Sequence, residues 1–124
     1  MNWDKINRVM VTCARTPSAS ELIHRLRVAG YFVLACDSMG SPMGKFLASE
    51  YRRYDSPVSH FVSFKSQILG MIEKFDIDLL IPNSEEIFFL AKIEGEVREK
   101  CKFFCPSFSL IHQLHHKRNS HQLL

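Results

Sequence analysis

Two carboxylates stand side by side at Glu85-Glu86, directly after the turn-forming run Ile81-Pro82-Asn83-Ser84. At the start of a helix such a pair faces the positive end of the backbone dipole. It is equally suited to orienting a substrate or a metal ion. Hydroxyls recur at Thr16, Ser18 and Ser20, where they can hydrogen-bond a polar ligand at a helix N-terminus or simply cap that helix. Asp37 ends an apolar run, the place of a ribose-binding acid in a dinucleotide-binding domain. The segment from Ala14 to Ser20 has no glycine, however, so GxGxxG is absent and the backbone cannot approach a pyrophosphate in the usual way. With Ser38 and Gly40 after it, Asp37 reads as a turn residue. His112 and His116 are spaced to share a helix face, and His115 and His121 lie close by. No cysteine or carboxylate near them completes a metal-ligand set, so a solvated basic helix is the better account.

The elements that must position these groups follow from hydrophobic period. Val9-Met10-Val11, continuing through Cys13 and Ala14, is apolar at consecutive positions, as in a strand buried on both faces of a parallel sheet. After a polar turn, Ala19, Leu22, Ile23, Leu26 and Ala29 mark one face of a helix. Ser18 with Glu21 forms a capping-box pair, Pro17 suits the first turn, and Gly30 ends the helix in a left-handed cap. Tyr31 to Cys36 returns as a second strand, which closes a right-handed βαβ unit. The irregular stretch from Ser38 to Pro57 carries a short helical piece, Lys45 to Glu50, and an edge strand, Tyr51 to Asp55. Ser63 caps a second helix with Phe64, Ile68, Met71, Ile72 and Phe75 on its apolar face. Leu79-Leu80-Ile81 is a central strand, Asn83 or Ser84 caps a third helix reaching Val97, and Lys102 to Cys105 is a fifth strand. A last helix starts at Phe108 and frays after Leu114.

Strand and helix alternate throughout. The expected fold is therefore α/β: a Rossmann-like open parallel sheet with helices on both faces, strands near 8–14, 31–36, 51–55, 78–82 and 102–105, and spatial order 3-2-1-4-5. Val9, Val11, Leu79 and Ile81 are expected to be almost fully buried. Ligands in such sheets sit beyond the carboxyl ends of the strands, here the Ala14–Ser20 loop, the Asp37–Ser41 loop and the Pro82–Glu86 segment.

At 124 residues, with 46% hydrophobic and 23% charged side chains, the chain reads as one domain of ordinary composition. The net charge of +3 is spread along the sequence, which argues against a nucleic-acid partner. No apolar run approaches a membrane span, and the N-terminus lacks a signal-peptide core. Cys13, Cys36, Cys101 and Cys105 form no CxxC pair and read as reduced thiols, which points to the cytoplasm.

The order of segments resembles the N-terminal domain of ATP-grasp ligases, of the carbamoyl-phosphate-synthase-like and biotin-carboxylase-like kind. The resemblance is carried by VTCARTPSASELIHRLRVAGYFVLACDS, the long loop, DIDLLIPNSEEIFFLA and LHHK, and it covers nearly the whole chain. Its most specific parts are Ile81–Glu86 and Lys117, with His116 standing where the family has asparagine or aspartate. The resemblance implies a pre-ATP-grasp domain over 1–124, with the ATP-grasp region starting near 115–124 and continuing beyond Leu124 in a longer parent enzyme. The parent would use ATP and magnesium to activate a carboxylate as an acyl phosphate for attack by an amine or another nucleophile. This domain would bind no cofactor alone and would hold none of the catalytic residues.

By the same resemblance Arg15, Thr16, Ser18, Ser84, Glu85 and Glu86 line the substrate side, with Glu86 preferred to Glu85, and Lys117 turns toward the nucleotide phosphates. The implied partners are the ATP-grasp domain of the same parent and a small carboxylate or amine, with a homodimer permitted. A stand-alone α/β nucleotide-binding or regulatory module is the alternative. A phosphoacceptor receiver lacks support, because Cys13-Ala14-Arg15 stands where an acidic pair is needed.

Overall fold

Val9, Met10 and Val11 have no solvent exposure in the computed structural model, which describes residues 3–40 and 44–104. They lie in β1 (Arg8–Val11), the middle strand of a five-stranded sheet. Its neighbours are β2 (Phe32–Asp37) and β4 (Leu79–Ile81); β3 (Glu50–Arg53) and β5 (Lys102–Phe103) form the edges. The order is β3-β2-β1-β4-β5 and every pairing is parallel, as the pattern of strands and helices predicts.

The unbroken apolar runs exist because both faces of the sheet are covered. Val9, Val11, Val33, Ala35 and Leu79 pack with Ala19, Ile23 and Leu26 of α1 (Pro17–Val28). Met10, Leu34, Cys36 and Leu80 pack the other way, with Phe64, Ile68 and Ile72 of α3 (Phe61–Lys74). Leu90, Ala91 and Val97 complete that layer from α4 (Glu86–Ala91) and α5 (Glu94–Arg98). Burying each large side chain contributes roughly 1.5–3 kcal/mol. Ile81 departs from expectation. It is only half-buried, because it is the last residue of β4 and packs at the margin of the α1 layer.

The helix caps also differ from the sequence reading. Thr16, not Ser18, caps α1: its Oγ1 accepts from the Ala19 N–H at 3.2 Å. Pro17 explains the shift, since a proline that fits the first helical position pushes the cap to the residue before it. Glu21 then pairs with Arg25 at 2.7 Å instead of closing a capping box. Gly30 does end the helix, with φ +97°, and the Tyr31 N–H reaches back to the Leu26 carbonyl. α3 begins at Phe61, two residues ahead of the expected Ser63 cap, and His60 at its cap position makes no side-chain hydrogen bond.

The third helix is two short ones, parted at Lys92-Ile93. The short piece before β3 is α2 (Gly44–Leu47), while Glu50 already belongs to the strand. Gly44 is required there: a Cβ would stand 2.8 Å from the Ala14 carbonyl oxygen and 3.0 Å from Ile23 Cδ1. No helix among the described residues is long and apolar enough to cross a membrane. The expected helix from Phe108, the histidines His112, His115, His116 and His121, and Lys117 lie outside the described residues.

Candidate functional site

Because all five strands run in one direction, their carboxyl ends form a single edge, and the connections from β1 and β4 leave it on opposite sides of the switch in strand order. Four segments meet there. The backbone after β1 turns at Cys13, whose φ of +55° stops the strand at Val11, short of the expected residue 14. β4 is followed by Ser84, with φ +58°, which aims the next residues back over the sheet. Asn83, expected as a cap, instead joins the two segments: its backbone N–H donates to Thr12 Oγ1 at 3.3 Å, and its Nδ2 donates to the Thr12 carbonyl at 3.2 Å.

These turns bring Glu86 into the interior, with 3% of its surface exposed. Tyr54, which follows β3 and is 2% exposed, donates its hydroxyl hydrogen to Glu86 Oε1. The same hydroxyl oxygen accepts from the Cys13 N–H at 3.3 Å. Glu86 Oε2 has no hydrogen-bond partner; the nearest cation is Arg15 Nη2 at 3.7 Å. Arg15 also stands 3.4 Å from Asp37 Oδ1. Asp37 is fully buried at the end of β2 and accepts from the Arg15 N–H at 2.9 Å and the Met39 N–H at 3.2 Å. Its turn-making role is therefore visible, and both of its oxygens are committed to the chain's own groups.

Burial sets the protonation of this cluster. It raises the Glu86 carboxyl to about 7 despite the hydrogen bond from Tyr54, which favours the charged form; Asp37 adds to the rise and Arg15 opposes it. Burial also pushes up the Tyr54 phenol and the Cys13 and Cys36 thiols. Neither thiol is a ready nucleophile near neutral pH. The arrangement can hold a proton, accept a hydrogen bond at one carboxylate oxygen and present a guanidinium beside it.

Of the residues expected to line the site, Arg15 and Glu86 are brought together. Thr16 is committed to capping α1, and the Ser18 hydroxyl lies exposed 3.4 Å from that of Thr16. Ser84 and Glu85 are exposed, and Glu85 makes no capping bond to α4. Lys117 lies outside the described residues. Sequence reasoning missed Tyr54, because an edge strand of alternating aromatic and basic residues reads as half exposed. The rule that places ligands beyond strand carboxyl ends applies to β3 as well, and that is the signal that finds it.

No family model matches the sequence, nor does any curated protein. Solved structures do match. The glycinamide-RNase-transformylase T from Mycobacterium tuberculosis gives a TM-score of 0.58 at 18% identity, covering 78% of this chain and 28% of that one. The biotin carboxylase subunit of pyruvate carboxylase gives 0.57 at 21% identity, over 93% of this chain and 26% of that one. It is the fold that is shared. A dTDP-glucose 4,6-dehydratase from Bacillus anthracis, solved in complex with NAD, scores 0.56 at 10% identity over 78% of this chain and 36% of that one. The present chain spans well under half the length of each of these proteins.

Proposed function

We propose that this chain forms the substrate-side N-terminal domain of an ATP-dependent carboxylate ligase of the ATP-grasp type. Acyl-phosphate formation would then be carried out by a further, ATP-binding domain. The observation that carries the reading is the meeting of buried Glu86 with Arg15 at the carboxyl edge, beside the switch in strand order, in the IPNSEE segment on which the sequence resemblance rests. Two of the structural relatives, the transformylase and the biotin carboxylase, are ATP-grasp enzymes, and this supports it.

In this reading Arg15 and Glu86 form one wall of the acceptor-substrate site. Thr16, Ser18, Ser84 and Glu85 would belong to the same substrate side, and Lys117 would serve the nucleotide phosphates. The described residues do not themselves fit a magnesium-bound nucleotide. Among them no three His, Cys, Asp or Glu side chains are placed to hold a metal ion, and the loop after β1 has no glycine. That ligand belongs to the partner domain.

A second feature fits such a partner. Met39, Val58, Val62 and Phe104, all exposed, lie in segments that follow the carboxyl ends of β2, β3 and β5. Exposed apolar side chains in these segments suit a covering protein layer. Its occupant is taken to be the ATP-grasp domain, which uses ATP and magnesium on a small carboxylate or amine substrate.

The test is carboxylate-dependent ADP formation by the full-length gene product. Glu86→Gln should slow it about tenfold or more through lost substrate positioning, with the fold intact. The 124-residue chain alone should turn over no ATP. ATP turnover by pure 1–124 that a point change abolishes would overturn the proposal, and ATP or NAD affinity in the chain alone would favour the stand-alone module.

A further inference from the structure

We propose that Tyr54 is a positioning residue that reserves a single atom of Glu86, Oε2, for proton exchange and ligand contact. The argument is one of hydrogen-bond direction. A tyrosine hydroxyl has one hydrogen to give, and its oxygen accepts. The Cys13 N–H, at 3.3 Å, can only donate, so it occupies the accepting side of the Tyr54 oxygen. The Tyr54 hydrogen is therefore directed at Glu86 Oε1. Oε1 is an acceptor in both ionisation states of Glu86, and a proton taken up by the carboxyl resides on Oε2.

That oxygen is the one buried side-chain polar atom among the described residues without a hydrogen-bond partner. Groups facing Glu86 are Cys13 and Arg15 from the segment after β1, Cys36 and Asp37 from β2, and Tyr54 after β3. Four of these five are buried; Arg15, with 44% of its side chain exposed, is the neighbour that reaches solvent. Access to Oε2 thus runs past the Arg15 guanidinium, 3.7 Å away. The carboxyl can offer a ligand either a lone pair or a proton from the same point in space, and it changes between them near neutral pH, since burial lifts it to about 7. With the proton off, Oε2 suits an N–H or O–H donor; with it on, a carbonyl or another acceptor.

The inference rests on the reading of Glu86 as the ligand-facing carboxylate, and it holds whether or not an ATP-grasp domain is the partner. It is tested in the 124-residue chain by NMR titration of carboxyl-13C-labelled Glu86. Tyr54→Phe keeps the ring and removes the donor that favours the carboxylate. The Glu86 midpoint should rise by about one unit, a tenfold gain in proton affinity. Replacing the three tyrosines by 3-fluorotyrosine keeps the fold and makes Tyr54 a stronger donor, so the midpoint should fall. The fluorinated protein decides the matter if Tyr54→Phe does not fold. A midpoint that stays put, or moves in the opposite sense in either protein, overturns the role of Tyr54. Loss of ligase activity in the full-length product leaves this titration unaffected, so the two readings fail separately.

Discussion

The two edges of the sheet handle charge in opposite ways. At the amino edge, Asp78 Oδ2 accepts from the Asn7 N–H at 2.9 Å and the Arg8 N–H at 3.0 Å, tying β4 to the start of β1. The Arg8 guanidinium donates to the Phe75 carbonyl at 2.6 Å and lies 3.8 Å from the centre of the Phe32 ring, which stacks on Phe75. Each polar group named there has a partner, and the cations sit at the solvent margin. At the carboxyl edge a carboxylate is buried with one oxygen unpartnered. Left-handed non-glycine backbone does not separate the edges, since Cys13 and Ser84 have it here and Asp76 has it at the amino edge. Unmet polarity tends to persist at sites of function, where the surrounding structure over-determines it. On the proposed reading, the amino edge serves stability and the carboxyl edge would serve ligand chemistry.

Substitutions can break or sharpen that contrast. Asp78→Ala should cost the most, about 1–3 kcal/mol in denaturant unfolding, because two backbone N–H groups lose a charged acceptor. The geometry of Glu86 should be unaffected. Thr16→Ala should cost about 1 kcal/mol as a lost helix cap, whereas Ser18→Ala should be nearly neutral. Equal effects at these two positions would mean that α1 is capped differently. Ser84→Gly should gain roughly 0.5–1 kcal/mol by relieving positive φ, which a thermal melt would register as a raised midpoint. Glu85→Gln should change stability by at most a few tenths of a kcal/mol, as befits an exposed side chain.

Much of this was legible in the sequence, for a physical reason. A sheet covered on both faces needs consecutive apolar residues, so Val9–Val11 and Leu79–Leu80 announce themselves, and parallel strands joined by helices leave few topologies. Strand order follows. What the sequence hid depends on single backbone angles and distant contacts. Glu85 and Glu86 are chemically identical neighbours; Ser84, in the left-handed region, helps decide which is buried. Tyr54 looks like an edge residue until Glu86 arrives from the far side of the sheet. The break at Lys92-Ile93 lies in a run whose apolar spacing suits one continuous helix.

The central claim is that Glu86 is held for its chemistry at the expense of stability. Its folded-state carboxyl is raised from the ordinary 4.5 to about 7, so between those values the native state binds more protons than the unfolded chain. Native stability should therefore fall as pH rises through that window. Glu86→Gln, an uncharged stand-in for the protonated form, should lose this dependence. Urea unfolding of both proteins from pH 4.5 to 7.5 measures it directly. The variant should match the wild type at pH 4.5 and be more stable at pH 7.5, by up to about 3 kcal/mol. A variant less stable than the wild type at pH 7.5 would make Glu86 a structural ion-pair partner and contradict the account.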